Sequence, residues 1–103
     1  MIPQIQEKIR NRYYEFSKHA VDQTIWRDIH VFEIEQALLS STCEVIEDYP
    51  DDKYGPSCLL LGFTKAGRPV HVLCSYPSRP YLKVITLYEP DSTEWIDNRI
   101  RRS

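Results

Sequence analysis

Three histidines, His19, His30 and His71, are the side chains of this 103-residue chain whose unperturbed titration falls near neutral pH. Cleavage of RNA without a metal needs such groups. A base takes the 2′-hydroxyl proton, an acid protonates the leaving 5′-oxygen, and cations hold the phosphate. His19 lies two residues after Ser17, at the start of a segment that reads as a helix. That places it in a first turn, where free backbone N–H groups attract phosphate. The competing reading is an imidazole that only bonds the strand before it. His71 stands between Val70 and Val72. If the valines face the core, His71 points to the other side of its strand. In the next strand Leu82, Val84, Thr86 and Tyr88 share one parity, and Lys83, Ile85 and Leu87 the other. Depending on register, Thr86 and Tyr88 share a surface with His71. A cluster of His71, Tyr88 and Thr86 either acts on a phosphodiester or stabilises the sheet as a polar network.

The candidate phosphate ligands are Arg27, Arg68, Arg79 and Lys83, with Arg68 and Arg79 near strand ends where a groove can open. A scattered arginine is otherwise a solvated surface residue. Arg99, Arg101 and Arg102 read as a solvated basic helix end that complements the dipole. His30 reads as a helix cap. Glu47, Asp48, Asp51 and Asp52 form an acidic cluster that suits a polar turn better than a cation site, since the spacing is not that of an EF-hand loop. No metal and no cofactor is expected.

The elements that must position these residues follow from periodicity and punctuation. Ile2, Ile5 and Ile9 mark one face of a helix over 2–12, with Pro3 in its first turn. Tyr13 to Phe16 reads as a brief strand. Ser17 caps a helix from Lys18 to about Arg27, and a third helix follows His30, with Glu33 three residues on. Cys43–Tyr49, Ser57–Thr64, Val70–Ser75 and Leu82–Tyr88 read as strands, the second apolar on both faces and therefore central. Asp91 with Glu94 makes a capping box, which predicts a terminal helix anchored by Trp95. The expected architecture is a single α+β domain over 1–103. Its N-terminal helices precede a four-stranded antiparallel sheet and a C-terminal helix, and one sheet face or its rim is left for a site.

Composition restricts the function. At net charge −2 the chain lacks the global positive field of a non-specific nucleic-acid binder, so any RNA contact must use a local patch. Cys43, Cys58 and Cys74 give an odd count without CxxC spacing, which points to buried free thiols and a reducing cytoplasm. Gln4, Gln6, Glu7 and Lys8 interrupt any leader-like run, and no apolar stretch is long enough to span a bilayer.

The stretch from Phe16 to Trp95 resembles the family of domains of unknown function numbered 4258. The resemblance rests on three pieces. The first is Ser17-Lys18-His19-Ala20 with Arg27 and Ile29. The second is Glu47-Asp48-Tyr49-Pro50-Asp51-Asp52, then Gly55-Pro56-Ser57 and Leu59-Leu60-Leu61-Gly62. The third is Gly67-Arg68-Pro69-Val70-His71-Val72, then Val84 to Asp91 and Trp95. The resemblance implies a fold shared with RelE-like, BrnT-like and barnase-like ribonucleases. It further implies metal-independent RNA cleavage and a cognate antitoxin as partner. Gln23, Thr24 and Asp28 depart from it, standing where relatives often carry Arg, Met and Gly.

Three functional readings follow. A toxin-type endoribonuclease requires His19, His71 and Tyr88 to converge on one open cleft with an arginine. A non-catalytic interaction module on the same fold requires an exposed apolar patch instead. A small-ligand or cation site would use the acidic cluster. The sequence carries no signal for the oligomeric state.

Overall fold

A computed structural model describes residues 1–103. Its elements run α1 (Ile2–Arg10), β1 (Tyr14–Phe16), α2 (Lys18–Trp26), α3 (Val31–Leu39), β2 (Glu44–Tyr49), β3 (Ser57–Phe63), β4 (Pro69–Ser75), β5 (Leu82–Tyr88), β6 (Trp95–Ile96) and β7 (Ile100–Arg101). The domain is α+β, but the four-stranded antiparallel sheet with a C-terminal helix is corrected in two respects. The main sheet has five strands in the order β1-β5-β4-β3-β2, and β1 runs parallel to β5. The chain ends in a two-stranded hairpin, not a helix.

Both corrections have local causes. Tyr14 and Phe16 pack against the core while Glu15 faces out, so β1 is short but patterned as a strand. It pairs with Leu82, Lys83 and Val84 of β5. At the C-terminus, Asp91 does accept from Thr93 N–H at 2.8 Å, as a cap would. The turn stops there, because Asp97 and Asn98 take φ of 52° and 64°. Asx residues adopt this left-handed conformation readily, and two in succession make the mirror-image turn that suits a hairpin. Arg99 N–H closes it on Ile96 O at 3.0 Å.

One face of the sheet carries the core. Leu60, Val70, Val72, Cys58, Cys74, Leu82, Val84 and Leu87 pack with Ile5 and Ile9 of α1 and with Ile34, Ala37 and Leu38 of α3. Burying each such aliphatic side chain contributes about 1.5–3 kcal/mol. All three cysteines are buried free thiols, and burial pushes the Cys43 thiol up to about 11. Helix and sheet come into backbone contact at Gly62 of β3. A Cβ there would lie 2.1 Å from Ala37 O of α3. Gly62 therefore lets α3 rest directly on the sheet backbone.

The ladder between β4 and β5 is irregular. Leu73 pairs with Thr86 and the next residue, Cys74, with Val84, so Ile85 is an extra residue in β5. The bulge changes the parity of the strand. Leu82 and Val84 face the core before it and Leu87 after it. Lys83, Ile85 and Thr86 are left on the outer side. The strict alternation expected for β5 therefore fails at this point.

Candidate functional site

Where β1 ends, α2 takes over the flank of β5. Ser17 links the two elements. Its N–H donates to Val84 O at 2.9 Å, and its Oγ donates to Ile85 O at 2.8 Å. The same Oγ accepts from Ala20 N–H at 3.0 Å and caps α2. Ala20 then points into the core and His19 outward. His19 Nε2 lies 3.0 Å from Thr86 Oγ1, the residue that the bulge delivers to this side.

A groove of about 390 Å³ opens beside this pair, lined by Ser17, His19, Tyr54, Gly55, Ser75, Arg79, Lys83 and Ile85. Lys83 is fixed by the ladder and by its N–H donating to Ser75 Oγ at 2.9 Å. Arg79 comes from the loop between Pro77 and Pro80. None of the six ion pairs of the protein engages Arg79 or Lys83. Two cations free of ion pairs and an exposed imidazole thus meet in one depression. Tyr54, 86% exposed, stands at the rim.

His71 does not join them. The parity argument places it correctly, away from Val70 and Val72, but the β6–β7 hairpin covers that part of the outer face. His71 is 0% exposed. Its Nε2 bonds Asn98 O within the hairpin turn, and Tyr88 Oη lies 3.3 Å from Nδ1. A carbonyl only accepts, so Nε2 carries the proton and Nδ1 accepts from Tyr88. The Trp95 ring packs edge-on at 4.5 Å between centroids. The expected convergence of His19, His71 and Tyr88 on one open cleft is therefore not met. His71 and Tyr88 form the lock that seats the hairpin, with Arg101 on Glu47 and Arg99 on Glu44 as its outer clasps. Those two arginines are paired with β2 and are not a solvated helix end.

This lock has a pH signature. Burial holds the His71 pKa below its ordinary value, while Glu47 acts against that and Arg101 with it. The unfolded chain takes up a proton near pH 6.5 that the fold resists. The stability from neutral His71 is thus complete above about pH 6.5 and is lost as pH falls below it. The melting temperature is expected to drop between pH 7 and pH 5, and His71→Gln is expected to flatten that slope. Glu33 and Glu47, whose pKa values are held low by backbone and arginine hydrogen bonds respectively, act in a separate window below about 4.5.

The remaining predicted ligands also separate from the groove. Arg68 donates to Glu89 at 2.6 Å, to Asp28 O at 2.9 Å and to Arg27 O at 3.2 Å, and it pairs with Glu33. Its donors are spent on fastening the α2–α3 turn, where Asp28 holds a φ of 51° that glycine adopts without strain. Arg27 Nε donates to Gln23 at 2.8 Å, and the hollow beside it holds Glu89, Asp91 and Glu94, which repel phosphate. His30 caps α3, its N–H donating to Glu33 at 3.0 Å. In the acidic cluster, Glu47 is held by Arg101, Asp48 by Tyr76, and Asp52 by Ser57 Oγ and Tyr54 N–H. A larger hollow of about 610 Å³ lies between α3 and the β3–β4 turn, but it holds no histidine or arginine.

Tyr54 and Ser75 were not legible as site residues. Tyr54 precedes Gly55-Pro56, which reads only as turn chemistry, and Ser75 reads as a strand end.

No helix is long and apolar enough to cross a membrane. Neither the curated proteins nor the solved structures provide a match to this chain. Residues 16–89, which contain α2 through β5 and every side chain of the groove, match the family model described as a domain of unknown function, DUF4258, and the chain belongs to that family.

Proposed function

We propose that the groove between α2 and β5 binds a phosphodiester of RNA, and that the protein is an endoribonuclease of toxin–antitoxin type. The supporting observation is the hydrogen-bonded His19–Thr86 pair facing the same depression as Arg79 and Lys83, both free of ion pairs. When Nε2–H donates to Thr86 Oγ1, His19 keeps a lone pair on Nδ1 and serves as the base. Thr86 is the positioning residue. His19 takes the 2′-hydroxyl proton, the 2′-oxygen bonds to phosphorus, and the bond from phosphorus to the 5′-oxygen breaks. The leaving oxygen takes a proton from solvent at the open mouth. Arg79 and Lys83 stabilise the charge on the phosphoryl oxygens. The products are a 2′,3′-cyclic phosphate and a 5′-hydroxyl. The direct test is incubation of end-labelled RNA with the pure protein. Cyclic-phosphate ends are expected, and unaltered RNA would overturn the catalytic reading.

The two cations set a second expectation. Each phosphate neutralised on a single strand contributes about 0.7 to the slope of log affinity against log salt. Arg79→Ala and Lys83→Ala are each expected to weaken RNA binding and to flatten that slope by about 0.7. Fluorescence anisotropy across a salt series measures both. An unchanged slope in both variants would place the phosphate elsewhere.

One observation supports the interaction-module reading. Ile25 and Trp26 at the end of α2 are 73% and 70% exposed, and Phe32 at the start of α3 is 58% exposed. Exposed large apolar side chains of this kind favour a protein-docking surface. It suits an antitoxin as partner, or a protein ligand in a chain without catalysis.

A further inference from the structure

Beyond the groove, the edge of the sheet at β1 and the start of β5 carries a second group of exposed aromatic and basic residues. Leu82 and Val84 are fully buried on the core side, so Lys83 and Ile85 project outward. Tyr81 precedes this row and is 53% exposed. At about 3.3 Å per residue, Tyr81 and Lys83 stand roughly 6–7 Å apart along the chain. Tyr13, 51% exposed, lies beside Tyr81 with ring centroids 6.0 Å apart and nearly perpendicular planes. Its place is fixed by Leu82 N–H donating to Tyr13 O at 2.9 Å. Lys8 of α1 completes the group. Its Nζ donates to Pro80 O at 2.9 Å and sits 5.9 Å from the Tyr13 ring. Lys8, Tyr13, Pro80 and Tyr81 line a shallow depression next to Arg79.

Large half-exposed aromatic rings held in place by backbone pairing offer a flat face to a planar partner. Cations flank the two neighbouring rings, with Lys83 and Arg79 on one side and Lys8 on the other. Exposed rings beside cations suit a single nucleic-acid strand, which offers both phosphates and unstacked base faces. A duplex hides its base faces and has no use for the rings. The carboxylates beside this path are Glu15, paired with Lys83 in the β1–β5 ladder, and Glu7, which lines a hollow with Lys8 and Tyr13.

We infer that Tyr81 and Tyr13 form a base-stacking platform that extends the groove, so that the substrate is a single strand of several nucleotides and not an isolated phosphodiester. This rests on the reading of the groove given above. The probes that separate the two are labelled 2′-O-methyl oligouridylates, which lack the attacking hydroxyl: a dinucleotide, which fills the groove alone, and a strand of about eight nucleotides, within the usual site size of such surfaces. The longer strand is expected to bind more tightly. Tyr81→Ala and Tyr13→Ala are each expected to weaken it about 5- to 100-fold, the loss of one stacked base, and to leave the dinucleotide unchanged. Tyr81→Trp is expected to retain the affinity of the long strand. Circular dichroism melts of the variants confirm folding, which exposed side chains do not endanger. Equal affinity for both lengths, or unaltered binding of the long strand by both alanine variants, overturns the platform while the groove stands. Failure of the wild-type protein to bind either length overturns the groove and the platform together.

Discussion

Replacing His19 by alanine is expected to slow RNA cleavage by about 10²- to 10⁴-fold, the usual contribution of a positioned general base. The loss belongs in the chemical step. Arg79 and Lys83 remain in the groove, so RNA affinity should change little. Stability should change little as well. His19 is exposed and makes one side-chain hydrogen bond, to Thr86. Losing such a bond costs about 0.5–1.5 kcal/mol, so the fall in melting temperature should stay below about 12 °C in a domain of this size. Thr86→Val tests the positioning role, because it keeps the shape and removes the Oγ that holds the ring. Its expected signature is a smaller rate loss together with a shifted pH–rate profile. A His19→Ala protein that melts normally and cleaves RNA at the wild-type rate would remove His19 from the mechanism.

The second large effect is structural. Gly62→Ala is expected to destabilise the fold by about 3 kcal/mol or more, at the upper end of overpacking costs. The added Cβ would stand 2.1 Å from the carbonyl oxygen of Ala37 and 2.6 Å from its carbon. These are backbone atoms of a helix whose Ile34, Ala37 and Leu38 are all buried, so no flexible side chain can swing away. Relief requires α3 to lift from β3. A stability of about 5–15 kcal/mol for a chain of this length makes that a large fraction. Thermal unfolding should show a midpoint at least about 12 °C lower. A shift of only about 4 °C or less would mean that the helix–sheet contact is more compliant than its geometry indicates.

How far the sequence revealed this arrangement differs from element to element. The three helices and the strands from β2 to β5 were legible because each carries its own punctuation: Ser17 and His30 as caps, and Gly67 with φ 88° at the β3–β4 turn. The parallel pairing of β1 was not, since three residues carry no periodicity that names a distant partner. The C-terminal hairpin was misread because Asp91 and Glu94 satisfy a helix-start pattern locally. The stronger signal lay further on, in two consecutive Asx residues, Asp97 and Asn98, between Trp95-Ile96 and Arg99-Ile100. That one misreading carried into the site. With a helix at the end of the chain, His71 seemed open to solvent; with a hairpin, it is sealed. His19 was legible because a cap fixes its position without knowledge of the tertiary fold. Tyr54 reaches the groove only through the turn between β2 and β3, and nothing local announces that.

The extra residue at Ile85 divides β5 into two territories. Ahead of it, Lys83 lines the groove; behind it, Thr86 holds His19 and Tyr88 joins the seal over His71. Losing one residue at this point would exchange inside for outside along the rest of the strand and ruin both at once. Related chains should therefore tolerate many side-chain changes in β5 far more readily than any change in its length.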